Sequence, residues 1–187
     1  MVYSIGYQGD AIRAAVEDGR AWGIRVRFVD DGDIPLGTGG ALRRAFDAGV
    51  LEERFAVQYG DSYLPFDVGA FMTAFETCGR PAMMTVHHNP GDAASNNVDY
   101  ADGVVRLYDK RRGRPVTEWS DYGMSAFQRD LIGARVPADG LRDLADLTHA
   151  LSLEGCLAGY PVATRYHEIG SPEGLAECEQ WLERSLS

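Results

Sequence analysis

Two acidic residues in the 187-residue chain stand where a hard cation could use them. Asp61 follows the run RFAVQYG and opens the turn DSY, and Glu168 follows YPVATRYH and precedes IGSP. A carboxylate at a strand end can serve Mg²⁺ as one ligand while the ion keeps several waters. The plainer role for Asp61 is a turn residue bonded to the backbone of Ser62 or Tyr63. If the two carboxylates met across a sheet edge they would form a divalent-cation site. A third stretch, PLGTGGALRRAF from Pro35 to Phe46, puts Gly37, Thr38 and Gly39 ahead of a helix-period segment. Backbone N–H groups there can approach an anion, and a helix N-terminus adds about half an elementary positive charge. The stretch is neither a Walker A sequence nor a GxGxxG fingerprint, and a simple strand-to-helix turn explains it equally well. Lys110 ends VVRLYD and opens the basic run KRRGR. It could meet a phosphate at the same edge, whereas Arg111, Arg112 and Arg114 read as a solvated loop. The four histidines show no HxxxH or HxH spacing, and no GxSxG elbow or Cys/His pairing supports a nucleophile.

Strands and helices must alternate to position these groups. MVYSIGY, IRVRFV, RFAVQYGD, AMMTVHH, GVVRLYD, RPVTEW, YGMSAFQ and YPVATRYHEIG read as strands. Helical spacing marks GDAIRAAVEDG with Asp10 as its cap, a segment with Leu42, Ala45 and Phe46 inward, DVGAFMTAFETCG capped by Asp67, a helix around Leu144, Leu147 and Leu151, and PEGLAECEQWLERSL with Pro172 in its first turn. NPGDAASNN reads as a surface loop. The expected fold is α/β with a mixed, mostly parallel sheet in one domain over residues 1–187, its ligand site outside the carboxyl ends of the strands.

Composition narrows the partners. Asp plus Glu number 28 against 18 Lys plus Arg, a formal charge of -10 that disfavours nucleic acid and anionic lipid surfaces. Three scattered cysteines suit neither a disulfide framework nor a metal knuckle and fit a reducing cytoplasm. No run has the apolar length of a membrane span, and MVYSIGYQGD lacks the features of a signal peptide.

Read in order, SIGYQGDAI, WGIRVRFVDD, PLGTGGALRRA, FAVQYGDSYL, NNVDY, VVRLYDK, SDYGMSAF and YHEIGSPEGL resemble the sugar-1-phosphate nucleotidylyltransferases, and within them the heptose- and mannose-1-phosphate guanylyltransferases. The joint match runs from residue 3 to about residue 177 and is more specific than any single motif. The resemblance implies a Rossmann-like three-layer nucleotidyltransferase fold and the transfer of a nucleotidyl group from a nucleoside triphosphate, GTP by branch, to a sugar 1-phosphate. Cytidine and thymidine nucleotides are the alternatives. It implies that Gly37, Thr38 and Gly39 approach base and sugar, that Asp61 binds Mg²⁺, that Asp109 and Lys110 hold the sugar phosphate, and that Gly123 packs against the sugar. Glu168 stands where the family has an Asp as second metal ligand. The family's opening GxGTRL segment does not precede Met1. The expectation is therefore a domain without its first strand, with a second copy or a partner chain covering the exposed sheet edge. Such a chain is either an enzyme or a non-catalytic or partner-dependent binder of sugar phosphate or nucleotide.

Overall fold

The computed structural model describes residues 1–32, 35–91, 95–110, 117–140 and 142–185. The chain forms two compact units, each assembled from separate segments: Met1–Phe55 with Gln128–Thr148, and Ala56–Phe127 with His149–Ser187. Because the units interleave along the chain, neither is announced by a linker or a shift in composition.

The first unit contains the parallel pair β1 (Val2–Ile5) and β2 (Arg27–Asp30). Between them lie α1 (Gly9–Val16) and a 3-10 turn (Arg20–Trp22). The expected cap, Asp10, sits in the first turn of α1 instead, one place after Gly9, and the cap position falls to Gln8 in a left-handed conformation. The unit is completed by α2 (Gly37–Asp47) and α4 (Arg129–Arg135). Arg43 of α2 donates to the carbonyls of Gly133 and Val136 at 3.4 and 2.5 Å, satisfying acceptors at the C-terminal end of α4. The α4 helix was not expected from the sequence, since DLIGAR is short and carries a glycine.

The second unit is built on a six-stranded sheet in the order β3-β8-β5-β9-β7-β6. Its members are β3 (Arg54–Gln58), β5 (Ala82–His88), β6 (Val98–Ala101), β7 (Val104–Tyr108), β8 (Trp119–Gln128) and β9 (Leu157–Val162). The helices that follow in the chain are α3 (Val68–Thr77), α5 (Leu144–Leu153) and α6 (Pro172–Ser185), the last against β10. Two short strands, β4 (Ser62–Tyr63) and β10 (His167–Glu168), pair separately and antiparallel.

The sheet is mixed, as expected, but its described pairings are mostly antiparallel, which corrects the mostly parallel expectation. Among its described pairings only β5 with β9 is parallel, while β5–β8, β6–β7, β6–β8 and β7–β9 are antiparallel. The physical reason is connection length. A parallel neighbour needs a long crossover, and α5 supplies one ahead of β9; β6 and β7 are joined directly by Asp102-Gly103, both at positive φ (55° and 78°), a two-residue turn that can only return the chain antiparallel.

The apolar spacing of the α3 segment predicted its packing well. Asp67 accepts from the Ala70 amide at 2.9 Å as the N-cap, and Phe71 and Phe75 are buried against Met83, Met124, Ala126 and Ala158 of the sheet. Replacing Phe71, which is 0% exposed, by alanine is expected to cost about 3–5 kcal/mol of stability in urea unfolding. A loss below about 1 kcal/mol would contradict its place in the core.

Candidate functional site

Four of the sequence-predicted residues come together in the second unit, and the β4–β10 ladder is what joins two of them. Glu168 lies opposite Ser62 in register, and the Ile169 amide donates to the Asp61 carbonyl at 2.7 Å. A Cβ placed on Gly170 would lie 3.2 Å from Asp61 Cβ and 2.5 Å from Glu168 Oε1, so both acidic side chains border the same small space. Asp61 is exposed, and its Oδ1 accepts from Ser62 Oγ at 3.3 Å. The Glu168 carboxylate is engaged locally: Oε1 accepts from the Gly170 amide and Oε2 from Ser171 Oγ at 3.0 Å. Ser171 in turn accepts from the Gly174 amide at 3.1 Å, so Glu168 steadies the residue that caps α6. Pro172 occupies the first position of that helix, as expected.

Gly123 adjoins this pair. Pairing between β5 and β8 is irregular between Met84 and Val86, opposite the Tyr122–Met124 stretch, and Gly123 there has φ 106°, which side chains rarely tolerate. A Cβ at Gly123 would meet Leu64 at 3.6 Å and Ser62 Oγ at 3.9 Å. The bulge thus brings open backbone next to the residue that follows Asp61.

From Gly123 the contacts lead to Lys110. The Gly123 amide donates to Asp121 Oδ1 at 2.9 Å, the Tyr108 hydroxyl donates to Asp121 Oδ2 at 3.2 Å, and the Asp121 amide donates to Asn97 Oδ1 at 2.9 Å. Asp109, beside Lys110, is tied through its amide to the Asn97 carbonyl at 3.0 Å. Desolvation raises the Asp121 pKa above the ordinary Asp value; the Gly123 amide, the Tyr108 hydroxyl and the charge of Lys110 pull it down less strongly. The Lys110 ammonium sits 5.5 Å from the centroid of the Tyr59 ring, two residues before Asp61. Asp121, Tyr108 and Tyr59 escape a search for motifs; the one signal available was a charged residue inside the apolar strand SDYGMSAF.

In the first unit, Gly37, Thr38 and Gly39 form the opening turn of α2 itself rather than a loop before it. The Gly39 and Gly40 amides both donate to the Arg142 carbonyl, at 3.0 and 3.4 Å. Thr38 Oγ1 accepts from the Leu144 amide at 2.9 Å and donates to Asp143 Oδ1 at 3.1 Å. A Cβ at Gly39 would lie 3.2 Å from the backbone of Asp143 and Leu144. The glycines thus let the start of α2 lie closely against residues 142–144, while Thr38 stays exposed. Arg111, Arg112 and Arg114 of the expected basic loop, and the start of the expected RPVTEW strand, lie outside the described residues.

Among the described residues no cluster of three or more His, Cys, Asp or Glu side chains is arranged to hold a metal. The histidines have other tasks: His87 Nδ1 pairs with the Val162 carbonyl at 2.9 Å, His149 Nδ1 with that of Tyr108 at 2.5 Å, and His88 with Glu118 at 3.1 Å. Cys78, Cys156 and Cys178 are free thiols. No described helix is long and apolar enough to cross a membrane.

Solved structures of other proteins share this fold. HddC from Yersinia pseudotuberculosis superposes with a TM-score of 0.76 at 19% identity over 96% of this chain and 77% of its own, and its complex with GMP-PN does so at 21% identity. A protein of Bacillus anthracis assigned as a glucose-1-phosphate thymidylyltransferase, in complex with a sucrose, gives 0.82 at 14% identity, over 96% and 74% of the two chains. The inositol-1-phosphate CTP transferase of T. maritima gives 0.69 at 18% identity, over 92% and 70%. No family model and no curated protein matches the sequence.

The raised pKa of Asp121 gives a signed prediction. A carboxyl whose folded pKa lies above its unfolded value favours the native state fully below about pH 3.8, and that contribution is lost as pH rises through the folded value. Asp121→Asn keeps an acceptor for Gly123 but cannot ionise. Its melting temperature relative to wild type is therefore expected to climb as pH increases from 3.8 and to level off above the folded pKa. A pH-independent difference in thermal scans would refute the assignment.

Proposed function

We propose that the chain is a sugar-1-phosphate nucleotidylyltransferase of nucleotide-sugar biosynthesis, using GTP and mannose or heptose 1-phosphate. The observation that carries the reading is the convergence of Asp61, Glu168, Gly123 and Lys110 in one unit, on elements from distant parts of the sequence. The sequence resemblance and the shared fold support it.

In this reading a phosphate oxygen of the sugar 1-phosphate attacks the α-phosphorus of the triphosphate. A new O–P bond forms, the bond to the β-phosphate oxygen breaks, and pyrophosphate leaves with its electron pair. Such a transfer asks little covalent work of the protein and much positioning and charge neutralisation. Lys110 holds the sugar phosphate, with Asp109 beside it, and the open backbone at Gly123 receives the sugar. Asp61 and Glu168 would hold Mg²⁺, which would supply charge stabilisation at the phosphates. Two carboxylates bordering one space fit an ion that takes its remaining ligands from water and phosphate. A second copy or a partner chain covers the open edge of β1, which pairs only with β2 among the described residues. The protein works in the cytoplasm.

A second reading is a non-catalytic or partner-dependent chain that binds a sugar phosphate or nucleotide. The engagement of Glu168 by Gly170 and Ser171 favours it, because those bonds compete with a metal for the carboxylate.

Pyrophosphate release from GTP, Mg²⁺ and mannose or heptose 1-phosphate is the deciding measurement. Turnover is expected, with Asp61→Ala reducing it about a hundredfold or more, as befits several kcal/mol of lost charge stabilisation. Wild type and variant both at background would sink the enzymatic reading, and calorimetric binding of GTP or the sugar phosphate would then favour the second.

A further inference from the structure

Lys110 is the only lysine among the 18 Lys and Arg residues of the sequence. Every other permanent cation is an arginine. An ammonium is a compact point charge with three rotatable donors on a flexible stem, unlike the planar fork of a guanidinium. A flexible stem also needs something to hold it, and Lys110 is exposed.

Among the described residues, two groups of the second unit face it. The half-buried ring of Tyr59 lies 5.5 Å from Nζ, within the range at which an aromatic face attracts a cation. On the β8 side stands Asp121, close enough for the two charges to interact, its own carboxylate fixed by Gly123 and Tyr108. Tyr59 is joined through Gly60 to Asp61, so the ring lies two residues from the acidic side chain. A ring draws the ammonium without neutralising it, whereas a carboxylate in that place would compete with phosphate.

We propose that Tyr59 is a positioning residue that holds the Lys110 ammonium beside the Asp61–Gly123 end of the site, oriented for an incoming sugar phosphate. The proposal rests on the reading of Lys110 as the phosphate-holding residue given above. Its steric form is simple. The aromatic ring is required and the hydroxyl is not.

The single lysine makes the test direct, because protein grown with ¹³C-lysine gives Cε–Hε signals from Lys110 alone. Wild type and Tyr59→Phe should show them displaced upfield by the ring, and Tyr59→Leu should return them to the position of an unstructured lysine. In turnover assays Tyr59→Leu should raise KM for the sugar phosphate about two- to five-fold with kcat unchanged, and Tyr59→Phe should match wild type. A wild-type signal without upfield displacement overturns the proposal, as does one that Tyr59→Leu leaves displaced. If Tyr59→Leu fails to fold, the wild-type and Tyr59→Phe spectra decide alone. Titration with mannose 1-phosphate and with inorganic phosphate separates the two layers. A displaced signal that neither ligand moves overturns the phosphate role of Lys110 and Tyr59's part in it; one that moves but shows no ring displacement overturns Tyr59 alone.

Discussion

Two residues of antiparallel pairing, Ser62–Tyr63 against His167–Glu168, fix the spacing of the acidic pair, and so short a ladder cannot stand by itself. Side chains around it supply the rest. Gln58 donates to the Ser62 carbonyl at 2.8 Å, tying β4 back to the end of β3. On the other side the Tyr63, His167 and Trp181 rings contact one another, with centroids 4.8 to 6.4 Å apart, so that α6 anchors both strands. The cap of α6 is itself held by Glu168 through Ser171. Candidate ligand, strand pair and helix start are therefore mechanically coupled: a change that loosens α6 also loosens the carboxylate geometry.

Helices were legible because their period is local. Asp67 with Phe71 and Phe75, the Leu144, Leu147 and Leu151 row, and Pro172 at the opening of α6 each predicted an element that forms. Strand direction was less legible, since it depends on what lies between strands. Asp102-Gly103 is a hairpin signal that stands in the sequence, and reading it would have added β6 ahead of the GVVRLYD strand and lowered the expected share of parallel pairing. YPVATRYHEIG looked like one strand and forms two, β9 and β10, which join different partners. Its apolar alternation is interrupted at Ala163–Arg165, and no local pattern says that the next residues will leave the main sheet.

Site residues divide along the same line. Asp61, Lys110 and Glu168 lie in or next to turns and strand ends, where a sequence displays them beside recognisable punctuation, and Gly123 is a glycine inside a strand pattern. Gly37 to Gly39 were equally visible, but a string of glycines does not reveal whether its amides face a ligand or a neighbouring segment, and here the Gly39 and Gly40 amides meet Arg142. Asp121 and Tyr59 gain their meaning only from partners far along the chain, so periodicity could not single them out.

Local charge is the last constraint. Asp61, Asp109, Asp121 and Glu168 stand in the same unit as Lys110, and the whole chain carries -10, so an incoming phosphate approaches a protein that is negative overall. Burial weakens the contribution of Asp121 by favouring its neutral form, yet Lys110 alone cannot offset the remainder. For the proposed reaction this makes a divalent cation part of substrate binding as well as of the chemistry, because it reverses the sign of the field where two phosphorylated molecules must meet. It also explains why an aromatic ring suits the neighbour of Lys110: another carboxylate there would deepen the repulsion that the cation has to overcome.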